Sequence, residues 1–143
     1  MKTFLFILLQ VAFCTLLVAQ AKIKAADIPA VVKKSLQEKY PEAIKIKWTR
    51  EGAGYEADFD FKDSEISVTL DPQGQIIETE QEIEFSALSD AIRVYMQKNF
   101  SGKKIKETTT ITDSKGTINF EVAVKKIDLI FDKSGALLKK ITL

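Results

Sequence analysis

The chain has 143 residues, enough for one domain or for two very small ones that share a core. It contains no histidine and a single cysteine, so the commonest general base, metal ligand and soft nucleophile are almost absent. Its 21 basic and 20 acidic side chains nearly balance. No dense basic patch is interleaved with aromatic residues, which excludes a nucleic-acid-binding protein.

The first 21 residues have the composition of a cleaved secretory signal peptide. Met1-Lys2 supplies a positive start, Phe4 to Ala19 is almost wholly apolar, and Ala19-Gln20-Ala21 has the small residues that signal peptidase recognises. An apolar run of about sixteen residues is short for a membrane span, which needs about twenty. We therefore expect residues 1–21 to be removed and no stable membrane anchor to remain.

The only cysteine, Cys14, lies within this apolar run. A lipoprotein signal would place a small residue just before the cysteine, but Phe13 stands there. The mature chain, beginning near Lys22, is predicted to be a thiol-free periplasmic or secreted protein. Without disulfides it must be stabilised by its core.

A first structural unit is predicted from residue 22 to residue 84. Its helix spans Asp27 to Tyr40, with Asp27 as the N-cap, Pro29 in the first turn and Pro41 after the end. The apolar stripe of this helix consists of Ile28, Val31, Val32, Leu36 and Tyr40.

Strands follow this helix, because the apolar period changes from 3.6 residues to two. Three inward-facing rows are predicted: Ile44, Ile46 and Trp48; Tyr55, Ala57, Phe59 and Phe61; Ile66, Val68 and Leu70. The sequence from Asp71 to Gly74 is typical of a type I turn. A fourth strand from Gln75 to about Glu82 completes the unit.

A second unit, residues 85–143, repeats this order at an offset of about sixty positions. Its helix is predicted from Ser86 to Phe100, capped by Ser86 or Ser89 and ended by Gly102. The strand rows contain Ile105 and Ile111; Phe120, Val122 and Val124; Ile127, Leu129 and Phe131; and the last strand, from Ala136 to Leu143. The Asp132–Gly135 segment repeats the turn at Asp71–Gly74, whereas the preceding hairpin is about four residues shorter than its counterpart.

Two units of helix plus four antiparallel strands predict an α+β fold. A unit of about sixty residues is too small for a secure core alone. We therefore expect one extended antiparallel sheet with both helices on one face and a broad polar surface on the other. Residues 22–84 carry a net charge of −5 and residues 85–143 a net charge of +5. This difference has two interpretations. Either the two halves simply have solvated surfaces of opposite charge, or the charges make the two halves, or two whole molecules, attract each other.

Several motifs resemble a known family. They are Glu38-Lys-Tyr-Pro41 at the helix end, the basic strand ending in Trp48, the Gly54–Phe59 strand and the paired Asp-x-x-Gly turns. The mature chain resembles the PepSY-like proteins, also called beta-lactamase-inhibitor-like (BLIP-like) periplasmic proteins, of Bacteroidetes-type bacteria. The resemblance implies a tandem helix-plus-four-strand fold, an envelope location and no established enzymatic role.

The residues give no catalytic, cofactor-binding or metal-binding set. The leading hypothesis is a non-enzymatic, inhibitor-like module that binds an envelope protein or peptide through the open sheet face. The alternative is a small-ligand or calcium-binding envelope protein that uses the acidic hairpin Glu56–Glu65, whose five carboxylates (Glu56, Asp58, Asp60, Asp63 and Glu65) are the densest in the chain. A carboxylate-only hydrolase is a third and weaker possibility. Trp48 is expected in the core, and Tyr95 is expected to lie off the apolar stripe and to be exposed.

Overall fold

The structure, a computed structural model, describes residues 22–142. They form one nine-stranded sheet in which every strand pairs antiparallel with its neighbours in the chain, from β1 to β9. The strands are β1 Lys22–Ile23, β2 Ile44–Glu51, β3 Gly54–Phe61, β4 Ser64–Leu70, β5 Ile76–Glu82, β6 Ile105–Asp113, β7 Ile118–Val124, β8 Ile127–Asp132 and β9 Leu137–Thr142. Two helices, α1 Ala30–Lys39 and α2 Asp90–Phe100, interrupt the strand order before β2 and before β6.

Both helices begin later than the sequence predicts. Short 3-10 helices at Ala25–Asp27 and Phe85–Ala87 precede them. Pro29 is at the N-cap position of α1, without a side-chain cap, so the prediction that Asp27 caps this helix is wrong. In α2 the cap is Ser89, whose hydroxyl accepts a hydrogen bond from the Ile92 N–H at 3.4 Å.

The first strand row departs from the prediction, because β2 contains a bulge. The pairing passes from Ile44 with Asp60 to Lys47 with Asp58, so β2 has one extra residue, and Lys45 adopts φ 56°. Ile44 and Ile46 are consequently 58% and 41% exposed, whereas Trp48 is only 6% exposed. The expected core position of Trp48 is confirmed, but the inward placement of Ile44 and Ile46 is wrong.

Each helix packs on its own half of the sheet, and both lie on the same face. Ile28, Val32 and Leu36 pack with a cluster that includes Phe59 and Leu70. The second cluster is built from Leu88, Ile92, Met96, Val122, Val124, Leu129 and Phe131. Alternation across the paired strands places both clusters on one side of the sheet.

Two residues of the predicted helical pattern are placed differently. Val31 is 46% exposed, so it does not belong to the buried stripe of α1. Tyr95 is half-buried against the second cluster, with its ring centroid 5.2 Å from that of Phe131. The expectation that Tyr95 is exposed is wrong, because the large ring of Phe131 reaches it from β8.

The strand count also differs from the prediction, since β1 precedes the first helix. Ile23 of β1 pairs with Trp48 of β2, and in the second unit the Ile83 N–H donates to the Thr108 carbonyl of β6 at 2.9 Å. The end of β5 therefore takes, in the second unit, the place that β1 takes in the first. Strand β5 serves as the last strand of one unit and as the leading strand of the next.

Three turns use the same Asp-x-x-Gly arrangement. The carboxylates of Asp71, Asp113 and Asp132 each accept two backbone N–H groups from the residues two and four positions later. Gly135 has φ 89°, and a Cβ atom there would lie 2.6 Å from Ala91 Cβ in α2. The β8–β9 turn thus requires glycine at position 135 for two reasons: the positive φ of the backbone and the close approach of the turn to α2.

Candidate functional site

The face of the sheet opposite the helices is lined with carboxylates. Alternation along the strands brings the following side chains to this open face: Glu56 and Asp58 of β3, Glu65 of β4, Glu78, Glu80 and Glu82 of β5, Glu107 of β6, Glu121 of β7 and Asp128 of β8. We call this set the acidic face. It crosses six consecutive strands and includes residues from both units.

A shallow cavity of about 170 Å³ lies near the middle of the acidic face. Its walls come from four neighbouring strands and include Glu56, Asp58, Glu80 and Glu107, with Ser67 and Thr109 between them. Six of the nine carboxylates of the acidic face therefore surround a common depression.

Glu80 is the most strongly perturbed carboxyl on this face. Burial raises its pKa to about 8, and the negative charges of Glu78 and Glu121 add to the effect. Its side chain also hydrogen-bonds to Glu78. At neutral pH the Glu80 carboxyl is largely protonated, and it can donate that hydrogen bond to the Glu78 carboxylate.

The perturbation extends across the sheet. Burial, followed by the charges of Asp128 and Glu107, raises the pKa of Glu121 to about 7. Burial also raises the pKa of Asp58 and of Asp128 above their ordinary values, with Glu56 adding to the shift of Asp58. The carboxyls of Glu78, Glu80 and Glu121 thus repel one another and behave as one coupled group.

Basic partners lie mainly at the margin of the acidic face. Lys45 forms an ion pair with Asp60 at 2.6 Å at this margin, whereas the pairs made by Lys34 and by Arg93 join residues of the helices. Glu56 accepts hydrogen bonds from Thr49 and Ser67, both at 3.0 Å. Hydroxyl donors therefore hold part of the face in place without neutralising its charge.

The acidic hairpin predicted from the sequence is one border of this larger surface. Glu56, Asp58 and Glu65 line the cavity, whereas Asp60 pairs with Lys45 at the edge and Asp63 occupies the β3–β4 turn. Within the part of the chain that the structure describes, no group of three or more such side chains is arranged to hold a metal ion.

The sequence interpretation missed the contribution of the second unit. Glu107, Glu121 and Asp128 belong to a half whose net charge is positive, so the division of charge by halves concealed them. Their position in the strands could have revealed them, because each is next to a residue that is buried on the opposite face: Thr108, Val122 and Leu129. Strand order then brings them beside the glutamates of β5.

Chemically, the acidic face can bind cationic groups and can exchange protons near neutral pH. Clustered carboxyls of raised pKa gain the most from a partner that brings positive charge, because such a partner removes their mutual repulsion. Among residues 22–142, neither α1 nor α2 has the length and apolar character of a membrane-spanning helix.

Comparison with known proteins agrees with the fold. The model of the family described as "Putative beta-lactamase-inhibitor-like, PepSY-like" matches residues 17–78 and again residues 76–139. No curated protein is significantly similar in sequence.

Solved structures from three Bacteroides species have the same fold. A Bacteroides eggerthii protein described as "putative periplasmic" superposes with a TM-score of 0.74 at 20% identity, over 80% of this chain and 88% of that chain. A Bacteroides uniformis DUF2874 family protein gives a TM-score of 0.72 at 20% identity, over 80% and 88% of the two chains. A Bacteroides fragilis BLIP-like protein gives 0.68 at 24% identity, over 80% and 86%. These likenesses and the repeated family match confirm the resemblance read from the sequence motifs, and the chain belongs to the beta-lactamase-inhibitor-like, PepSY-like family.

Proposed function

We propose that this protein is a non-enzymatic module of the bacterial envelope that binds a basic protein or peptide through its acidic face. One observation carries the proposal: carboxylates from six neighbouring strands, six of them half-buried, converge on one open surface. Surfaces of this kind favour partners of opposite charge and speed their association.

The family likeness supports the same reading. The family description contains the words "beta-lactamase-inhibitor-like", and the Bacteroides fragilis neighbour is called BLIP-like. An inhibitor acts by occupying a surface of its target, which requires a broad rigid face and no chemistry of its own. The predicted signal peptide and the periplasmic description of the Bacteroides eggerthii protein support an address in the periplasm or outside the cell.

The experiment is affinity capture from an envelope extract with matched charge variants. The face variant carries Glu80→Lys and Glu121→Lys, and the control carries Glu38→Lys and Glu42→Lys, which change the charge equally on and just after α1. We expect a partner that the wild type and the control retain, that the face variant loses, and that salt releases. Equal retention by the face variant would refute the proposal. Glu80→Gln with Glu121→Gln serves as a second face variant should the lysines disturb folding.

The calcium or small-ligand alternative is tested on the same proteins. Calcium ions stabilise a protein that binds them only in the folded state, so the melting temperature would rise with calcium concentration. A rise that occurs in the wild type and the control, but not in the face variant, would favour a cation-binding role for the Glu56–Glu65 hairpin and its neighbours. Melting temperatures that do not respond to calcium would exclude calcium as the occupant of this face.

A further inference from the structure

The two units differ at the end of the sheet where their hairpins turn. In the first unit six residues separate Phe59 from its strand partner Ile66, whereas in the second only two separate Val124 from Ile127. With the Asp-x-x-Gly turns aligned, Val124 takes the place of Phe59. The second unit has no residue in the place of Phe61.

These aromatic rings fill the space below the end of the first helix. Tyr40, which follows α1, has its ring centroid 4.9 Å from that of Phe59 and 5.2 Å from that of Phe61. Its counterpart Phe100 ends α2, and its ring centroid lies 6.5 Å from that of Tyr95. The second unit therefore has fewer aromatic rings at this end of the sheet than the first.

A cavity of about 330 Å³ lies beside Phe100, between the end of α2 and the start of β6. Its apolar walls are Phe85, Met96, Phe100 and Ile105, and Arg93 and Gln97 complete it on the side of α2. This volume lies at the lower end of the range of small-molecule sites, about 300–1,000 Å³.

The charged groups around this cavity are mostly basic. Arg93 is the only charged residue among those that line it, and it is held by Asp90 and by the Ser86 carbonyl. The loop that forms one wall carries two exposed lysines, Lys103 and Lys104, between the lining residues Gly102 and Ile105. An apolar interior beside a cationic loop complements a ligand with a hydrocarbon chain and an anionic head.

We propose that this cavity binds the hydrocarbon chain of a fatty acid, whose carboxylate lies against Lys103 and Lys104. The site is separate from the acidic face, on the helix side of the sheet, so it is independent of the proposed partner binding. Medium-chain fatty acids match its size better than long ones, because the cavity is at the small end of ligand sites.

Methyl NMR can test this proposal on the intact chain. The sequence has two methionines, Met1 and Met96, and Met96 lines the cavity. In a sample labelled with methyl-¹³C methionine, decanoate should shift the Met96 signal saturably. Affinity should rise about fourfold for each methylene added from hexanoate until the cavity is full.

The head group is tested with 1-decanol and with two charge variants. Lys103→Gln with Lys104→Gln should weaken decanoate binding about tenfold, as expected for the loss of two charge-assisted contacts. The control, Lys115→Gln with Lys133→Gln, removes two lysines from turns at the opposite end of the sheet and should bind decanoate like the wild type. A Met96 signal that decanoate does not move, or that decanol moves as strongly, would overturn the proposal, as would equal weakening in both variants.

Discussion

Replacing Glu80 by glutamine is expected to stabilise the protein at high pH and to have little effect at low pH. Burial among other carboxyls raises the pKa of Glu80 to about 8 in the folded protein, from an ordinary value of 4.5. Between these two values the folded state holds a proton that the unfolded state has lost. Raising the pH across this interval therefore favours unfolding, and the free energy of unfolding of the wild type falls. The glutamine amide does not ionise, so this contribution disappears in the variant.

The two pKa values of Glu80 set the size of the effect. At about 1.36 kcal/mol for each pKa unit, full ionisation of Glu80 would cost about 5 kcal/mol. Glu80 remains partly open to solvent on the sheet face, and its charged neighbours can move apart or bind protons in its place. We therefore expect a difference of about 2 kcal/mol at pH 9, which corresponds to about 8 °C in the melting temperature of a domain of this size.

Urea denaturation at five pH values between 5 and 9 measures this directly, with Glu82→Gln as the control. Glu82 is on the same strand and the same face but is exposed, so its variant should follow the wild type at every pH. The free energies of Glu80→Gln and the wild type should diverge only as the pH rises. Curves that stay parallel from pH 5 to pH 9, or a variant less stable than the wild type at pH 9, would refute the electrostatic account of this face.

Two further predictions concern the Asp-x-x-Gly turns. Gly135→Ala should lower the free energy of unfolding by about 3 kcal/mol, because φ is positive and the new Cβ would lie 2.6 Å from Ala91 Cβ. Gly116→Ala should lower it by only about 1 kcal/mol, because φ is 81° but nothing lies within 4 Å of the new Cβ. Equal losses in urea denaturation would contradict the helix contact. Hydrogen bonds from turn groups hold the pKa values of the Asp113 and Asp132 carboxyls below the ordinary value. The ionised carboxylates therefore stabilise the folded protein above the pKa of the unfolded state, and this stabilisation is lost as the pH falls through the pKa of the folded state. Asp132→Ala should therefore be less stable than the wild type at pH 7 and should approach it near pH 2 in thermal melts, whereas a constant difference would exclude the carboxylate as its cause.

The fold could be predicted because its local signals agree with one another. Alternation in β3 and β4 gave the correct core residues from Tyr55 to Leu70, and the Asp71–Gly74 turn lies where its residue types indicated. Strand order required no long-range information, since each strand pairs with the next one in the chain. A meander of this kind is the arrangement in which local pattern and tertiary pairing coincide.

The errors arose where pairing changes the phase of a strand. The run from Ile44 to Trp48 alternates without a break, so nothing in it marks the extra residue at Lys45 that turns the isoleucines outward. The acidic face escaped prediction for a related reason. Its carboxylates are ordinary solvent-side residues within each strand. Only the register of the paired strands shows that those of β3 to β6 line one cavity, and that burial beside other carboxyls raises the pKa of Glu80 and Glu121.

The sharing of β5 by the two units has a consequence for how such a protein can lengthen. A duplicated segment needs no new interface, because the last strand of one copy is already the template on which the next copy begins to pair. Strand β9 occupies that position at the end of the second unit, and its outer edge pairs with no other strand within the described residues. Aligned on the turns, Lys139 and Lys140 of β9 stand where β5 has Glu78 and Thr79. Charged lysines on an edge strand discourage pairing with another chain. Strand β9 therefore occupies the position on which a further unit could pair, but its lysines disfavour the addition of another strand.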